Sequence, residues 1–254
     1  MVGMKALIRE RPLFGTFVKT TSPEIVEMIA LAGFDFILID TEHSPFTYGQ
    51  VKMLTSIAQG MGMKVVVRPP DFSRSNLQYS LDLGADGVQA PQLYDEEDAK
   101  TIVSLCKYQP IGTRGITFSH RASQYGFCDS KAYVDAANHN VMINVHIETR
   151  EALERVNQIA AIEGVDLLFL GPADLSYSLG CDSDIIAGGL KDAFLSIKNA
   201  AQKHGKMVGT LINSEEKLKF CLDHDVRFIV WETDLSMLKK QLESVVNIIQ
   251  SHYK

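Results

Sequence analysis

The stretch FDFILIDTEHSPF, residues 34–46, decides how this chain is read. Five apolar positions run out through Ile39 into Asp40, and Glu42 and His43 follow at once. A buried strand that stops on a carboxylate and an imidazole marks the mouth of an α/β fold. Four further segments repeat the pattern of an apolar run that stops on a polar group. MKVVVRPP stops on Arg68, DGVQAP carries Gln89, VMINVHIET ends on His146 and Glu148, and VDLLFLGPADLS leads to Asp174.

Working outward, short apolar runs alternate with amphipathic ones along the whole chain. Strands are predicted at 13–18, 34–40, 64–68, 87–90, 141–147, 165–170, 206–212 and 227–232. They are rich in Val, Ile and Phe and mostly continuous, as in parallel strands covered by helices. Between them, SPEIVEMIALAG offers a Ser cap, Pro at the first helical position and a closing Gly33. DEEDAKTIVSLCKY sets acids at its start and Lys107 at its end, in line with the helix dipole. GGLKDAFLSIKNAAQKHG, SEEKLKFCLDHD and DLSMLKKQLESVVNIIQSHYK are also helical in pattern. Eight strands alternating with helices in 254 residues predict a single α/β domain over 1–254, a (β/α)8 TIM barrel. A doubly wound sheet would want a G-x-G-x-x-G loop, and none is present. Residues 108–130 form a long polar insertion bearing Arg114 and Arg121, of a length that tends to be functional.

Hydrophobic residues make up 46% and charged ones 22%, which suits a full core. The formal charge of −6 and scattered Lys and Arg argue against a nucleic-acid surface. No apolar run approaches a membrane span, and MVGMKALIRERP lacks the core of a signal peptide, so the expectation is a soluble, cytoplasmic protein with no membrane partner. Cys106, Cys128, Cys181 and Cys221 have no metal-type spacing and read as buried thiols, with Cys128, in a polar loop, the exception.

In a parallel barrel the strand ends gather at one face, which brings His43, Arg68, Glu148 and Asp174 together. Two carboxylates from adjacent strands, with no thiolate, make an oxygen-rich site that suits Mg²⁺, Mn²⁺ or Co²⁺. A cap at Glu148-Thr149 and a turn acid at Asp174 fit these residues equally well. The Gly171-Pro172-Ala173 step bares backbone N–H groups that can hold an anion. His43, with Asp40 three residues before it and Glu42 one before it, suits a carboxylate-oriented base, and Arg68 can neutralise an enolate or carboxylate. Asp82 reads as a plain helix-terminal charge. Glu232, ending strand eight, would oppose a phosphate site there.

Together these segments resemble the HpcH/HpaI aldolase family from about Leu13 to about Leu238. The resemblance rests on GTFVK, AGFDFILIDTEHSPF, VVVRPP, LDLGADGVQAP, PIGTRG, IETREAL and GVDLLFLGPADLS, in that order. It implies a divalent-metal-dependent (class II) aldolase that cleaves a 4-hydroxy-2-oxo acid to pyruvate and an aldehyde. By resemblance His43 is the base with Asp40 as dyad partner, Arg68 holds the keto-acid oxygen, and Glu148 and Asp174 bind the metal. Gly171, Pro172 and Ala173 receive the pyruvate carboxylate, Leu211 is an apolar wall, and Phe17 stands at an aromatic position. Asp82 matches an acid that reaches a neighbouring subunit's site, and Arg121 resembles the residue that meets an acceptor's far carboxylate. Family members are typically hexamers that exchange the last helix, which implies a homo-oligomer here.

Three departures from the family pattern stand out: His146 in place of a usual Gln, YSLGCDSDIIAGGL without the usual His-Pro pair, and WETD at the end of strand eight. Three rival readings remain. A Schiff-base aldolase would need a desolvated Lys, for which only Lys19 is placed. An acyl-CoA ester lyase would want a basic groove, and a non-catalytic keto-acid-binding barrel would need none of the chemistry.

Overall fold

The computed structural model describes residues 3–253. Eight parallel strands close into a barrel in chain order: β1 (Leu13–Val18), β2 (Phe36–Asp40), β3 (Lys64–Arg68), β4 (Gly87–Ala90), β5 (Met142–Ile147), β6 (Leu167–Leu170), β7 (Met207–Ile212) and β8 (Phe228–Thr233). The helices are α1 (Met4–Glu10), α2 (Pro23–Leu31), α3 (Tyr48–Gly60), α4 (Arg74–Asp82), α5 (Glu96–Cys106), α6 (Ser130–Asn140), α7 (Arg150–Glu154), α8 (Val156–Ala160), α9 (Pro172–Leu179), α10 (Gly188–Lys203), α11 (Glu215–Asp223) and α12 (Asp234–Ser251). This is the predicted (β/α)8 architecture. Among the described residues no helix is long and apolar enough to cross a membrane.

Alternation along the strands separates two cores. Leu13, Phe17, Phe36, Leu38, Val66, Met142, Leu167, Phe169, Phe228 and Val230 pack inside the ring. Their neighbours, such as Ile37 and Ile39 on β2 or Ile143 and Val145 on β5, pack outward against the helices. Met4 and Ile8 of α1 join the inner cluster and plug the end at which the strands begin. Phe36 and Phe228 stack inside with ring centroids 4.2 Å apart, and a side chain at Gly15 would drive into the Phe36 ring. Glycine at 15 is what lets β1 pass so close.

Local signals act as the sequence suggests at α2, where Ser22 accepts from the Ile25 N–H and Gly33 follows with φ 94°. Lys107 behaves differently. It is buried, and its ammonium donates to the Asn138 and Val141 carbonyls at 2.7 and 3.0 Å. It therefore ties α5 to the segment entering β5 and does not serve the dipole of α5; burial lowers its pKa to about 8. Of the thiols, Cys106 and Cys221 are buried, whereas Cys128 and Cys181 are half-buried.

Candidate active site

The ends of β2 and β3 lie side by side, with Asp40 paired opposite Arg68 in the register. Both side chains continue the inward-facing rows of Phe36 and Leu38 on β2 and of Val66 on β3. The Arg68 Nε donates to Asp40 Oδ1 at 3.0 Å and Nη2 lies 2.8 Å from Oδ2. Lys19 Nζ reaches the same Oδ2 at 2.7 Å. The carboxylate is fully buried, and desolvation alone would raise its pKa, but Arg68 and Lys19 together hold it down at about 2. Phe17 lies under the guanidinium, 4.8 Å from ring centroid to Cζ. Lys19 is therefore ion-paired, which is not the isolated amine that Schiff-base chemistry requires.

Asp40 and His43 are not joined through the imidazole. Asp40 Oδ1 accepts from the backbone N–H groups of Glu42 and His43, each at 3.2 Å. With two cations and two amides on it, the carboxylate has no free position for the ring. The imidazole of His43 is half exposed, and its Nε2 lies 3.7 Å from Glu42 Oε2. Glu42, named in the sequence only as a neighbour of Asp40 and His43, was given no role there. Its Oε2 is buried without a hydrogen-bond partner, 3.3 Å from Arg68 Nε. Burial raises its pKa against the pull of Arg68, and the nearby Glu148 charge adds to the rise.

Glu148 follows β5 directly. Thr149 takes the cap of α7, accepting from the Ala152 N–H at 3.1 Å, which leaves Glu148 free to face the barrel mouth. Its Oε1 accepts from the Gln92 N–H at 2.6 Å and its Oε2 meets His146 Nδ1 at 2.6 Å. Burial would raise its pKa, but His146, the Gln92 N–H and Arg68 outweigh this and hold it at about 2. Gln92 is a residue that the sequence did not flag. It sits at φ 53°, and its side-chain amide donates to Glu42 Oε1 at 3.1 Å. One left-handed residue thus joins the two acids.

Gly171 caps α9 at the end of β6, packed so that a Cβ there would lie 3.3 Å from Glu148 Oε2. Pro172 and Ala173 open the helix, and Asp174 is exposed in its first turn. Leu211 packs on the inner cluster that contains Phe17. Among the described residues no group of three or more His, Cys, Asp or Glu converges on a point that could hold a metal ion. A divalent cation that keeps several waters needs only one or two carboxylates, however. The ionised Glu148, seated against Gly171, fits that demand as one such carboxylate.

Asp82 and Arg121 lie elsewhere. Asp82 ends α4, at the end of the barrel where β4 begins, and pairs with Arg114 at 2.7 Å. Arg121 Nη1 donates to Gln59 Oε1 at 2.7 Å and to the Leu83 carbonyl at 3.3 Å, at that same end. Neither reaches the site of its own chain. Glu232 sits with φ 48° where the β1–β8 register shifts, and it is ion-paired with Lys240 of α12.

Comparison with known proteins agrees with this geometry. The family model described as HpcH/HpaI aldolase/citrate lyase matches residues 13–240. The 4-hydroxy-2-oxovalerate aldolase of Novosphingobium aromaticivorans is 36% identical over 231 residues, 89% of this chain and 86% of that protein. The crystal structure of an HpcH/HpaI aldolase from Desulfitobacterium hafniense DCB-2 superposes with a TM-score of 0.93 at 28% identity, over 98% of this chain and 97% of the other. That of citrate synthase SbnG gives a TM-score of 0.90 at 25% identity, over all of both chains. With the barrel, the paired Asp40 and Arg68, and Glu148 at its rim, the chain belongs to the HpcH/HpaI aldolase/citrate lyase family and is a carbon–carbon lyase of the aldolase type.

Proposed function

We propose that the protein is a divalent-metal-dependent aldolase that cleaves a 4-hydroxy-2-oxo acid to pyruvate and an aldehyde, and runs the reverse addition. The observation that carries this reading is the meeting of Arg68, Glu42 and Glu148 at one rim, where Glu42 Oε2 lies 3.3 Å from Arg68. Glu148 and Asp174 would hold Mg²⁺, Mn²⁺ or Co²⁺, and the cation when bound supplies Lewis-acid polarisation of the keto group. Arg68, fixed by Asp40, presents its guanidinium to the oxygen on which enolate charge develops. Donors of this kind are worth about 3–4 kcal/mol in the transition state. The N-terminal turn of α9, Gly171 to Ala173, receives the carboxylate of pyruvate. His43 takes the methyl proton, directly or through water, with its imidazole beside Glu42 and not beside Asp40. Phe17 and Leu211 wall the apolar side of the site.

The same reading assigns Asp82 and Arg121 to the site of a neighbouring subunit, since both lie at the far end of their own barrel. It therefore needs a homo-oligomer, for which the hexamer with exchanged last helices is the form we propose. Support comes from α12, on which only Asp234 is buried while Leu238, Leu242, Ile248 and Ile249 are 49–58% exposed.

Release of pyruvate from a panel of 4-hydroxy-2-oxo acids, and exchange of the pyruvate methyl protons, test the proposal. Both are expected to fall to background with EDTA and to return with Mn²⁺ or Co²⁺; EDTA-resistant exchange rejects the metal. Citrate in the same panel separates this activity from the one for which the SbnG relative is named.

A further inference from the structure

His146 is buried two residues before Glu148, on the same inward row of β5. Three contacts hold its ring. Nε2 lies 2.8 Å from the Gln89 amide nitrogen, Nδ1 lies 2.6 Å from Glu148 Oε2, and the Phe169 ring stacks on it at 4.8 Å between centroids and 23°. The strand registers place these groups, with Gln89 opposite Asn144 on β5 and His146 opposite Phe169 on β6. With the Gln89 amide nitrogen facing Nε2 and the Glu148 carboxylate facing Nδ1, the tautomer that satisfies both contacts carries its proton on Nδ1. Both ring nitrogens are thus occupied, and the residue is 2% exposed. A histidine so placed is not a base. What it does is restrain Glu148, whose other oxygen is restrained by the Gln92 N–H.

We propose that His146 is a positioning residue, and that the Gln89–His146–Glu148 chain fixes the Glu148 carboxylate in the orientation in which it takes a divalent cation. This rests on the reading of Glu148 as a metal ligand. A carboxylate on an unrestrained side chain must be ordered when it binds; one already held by two hydrogen bonds is not ordered anew. Gln89 acts only through the ring, so its effect should vanish when the ring is gone.

Titration of the intact protein with Mn²⁺, followed by calorimetry, tests the proposal in the parent, His146→Leu, His146→Gln and Gln89→Leu. His146→Leu should lose Mn²⁺ affinity by about 10–100-fold, the range for removing a ligand's hydrogen-bond partner. His146→Gln should recover most of that loss, since an amide N–H can still donate to Oε2. Gln89→Leu should weaken binding in the parent and add nothing in the His146→Leu background. Should His146→Leu fail to fold, the Gln89→Leu titration and the same substitution in His146→Gln carry the test. Undiminished Mn²⁺ affinity in a folded His146→Leu, or full additivity of the pair, would overturn the proposal alone. So would an imidazole-nitrogen coupling in the parent's Mn²⁺ spin-echo spectrum that His146→Gln abolishes, because the ring would then be a ligand. A parent that binds no Mn²⁺ overturns the metal reading and this inference with it.

Discussion

Arg68 holds Asp40 with both arms of its guanidinium, Nε to Oδ1 at 3.0 Å and Nη2 to Oδ2 at 2.8 Å, across two strands that pair these residues directly. The fork geometry is available to arginine and not to lysine. Arg68→Ala should lower kcat/KM for pyruvate release by at least about a hundredfold, and Arg68→Lys should restore little of it. Near-normal kcat/KM in Arg68→Ala would remove Arg68 from the chemistry.

The same pair sets an acid limit on stability. The Asp40 carboxyl titrates near 2 in the folded chain, below its ordinary value of 3.8. Its contribution is present above pH 3.8 and disappears as the pH falls through about 2, worth about 2 kcal/mol in all. Asp40→Asn leaves a buried guanidinium without its carboxylate and should cost about 3 kcal/mol at pH 7. Urea denaturation at a series of pH values should show the gap between parent and variant closing toward pH 2. A gap independent of pH would mean that Asp40 is not held ionised.

Gln92 adopts φ 53°, a conformation that costs a side-chain-bearing residue about 1–2 kcal/mol. Gln92→Gly relieves that strain and removes the amide that holds Glu42. The variant is expected to melt no lower than the parent, with stability unchanged or up by about 1 kcal/mol, and to turn over more slowly. A variant as active as the parent would show that the bond to Glu42 has no part in catalysis.

The apolar stripe of α12 bears on whether Asp82 and Arg121 ever meet a site. Leu242→Glu with Ile249→Glu should convert the proposed hexamer to monomers in sedimentation velocity, and a parent that is itself monomeric would reject the hexamer. Activity should fall with it although both positions lie outside the barrel mouth. Fully active monomers would detach Asp82 and Arg121 from the reaction.

The barrel was legible in the sequence because continuous Val, Ile and Phe runs are what strands covered on both faces require. β1, β3 and β4 match the predicted bounds residue for residue, and β2, predicted from 34, begins at Phe36. Residues at strand ends were legible too: Arg68 and Glu148 fall where an apolar run stops. Partnerships were harder to read. Asp40 stands three residues from His43 along the chain but opposite Arg68 across the sheet, and register decides which neighbour it serves. Gln92 was invisible because a left-handed backbone leaves no mark when glycine does not occupy it. The helix Met4–Glu10 was not legible because two turns carry little periodic signal, although Met4, Leu7 and Ile8 have helical spacing.

Leu13 pairs with Phe228 and Gly15 with Val230, so the ring is sealed by segments from opposite ends of the chain. Contacts of such long sequence separation require a large loop-closure entropy before they return any enthalpy. Staves two to seven can zip up locally, but the first can dock against the eighth only once the chain has been synthesised through Thr233. Lys19 and Phe17, which brace Asp40 and Arg68, ride on that first stave. A nascent or truncated chain lacking its last strand would thus carry all the reactive side chains with their alignment unfinished, and competence would arrive in a single late event.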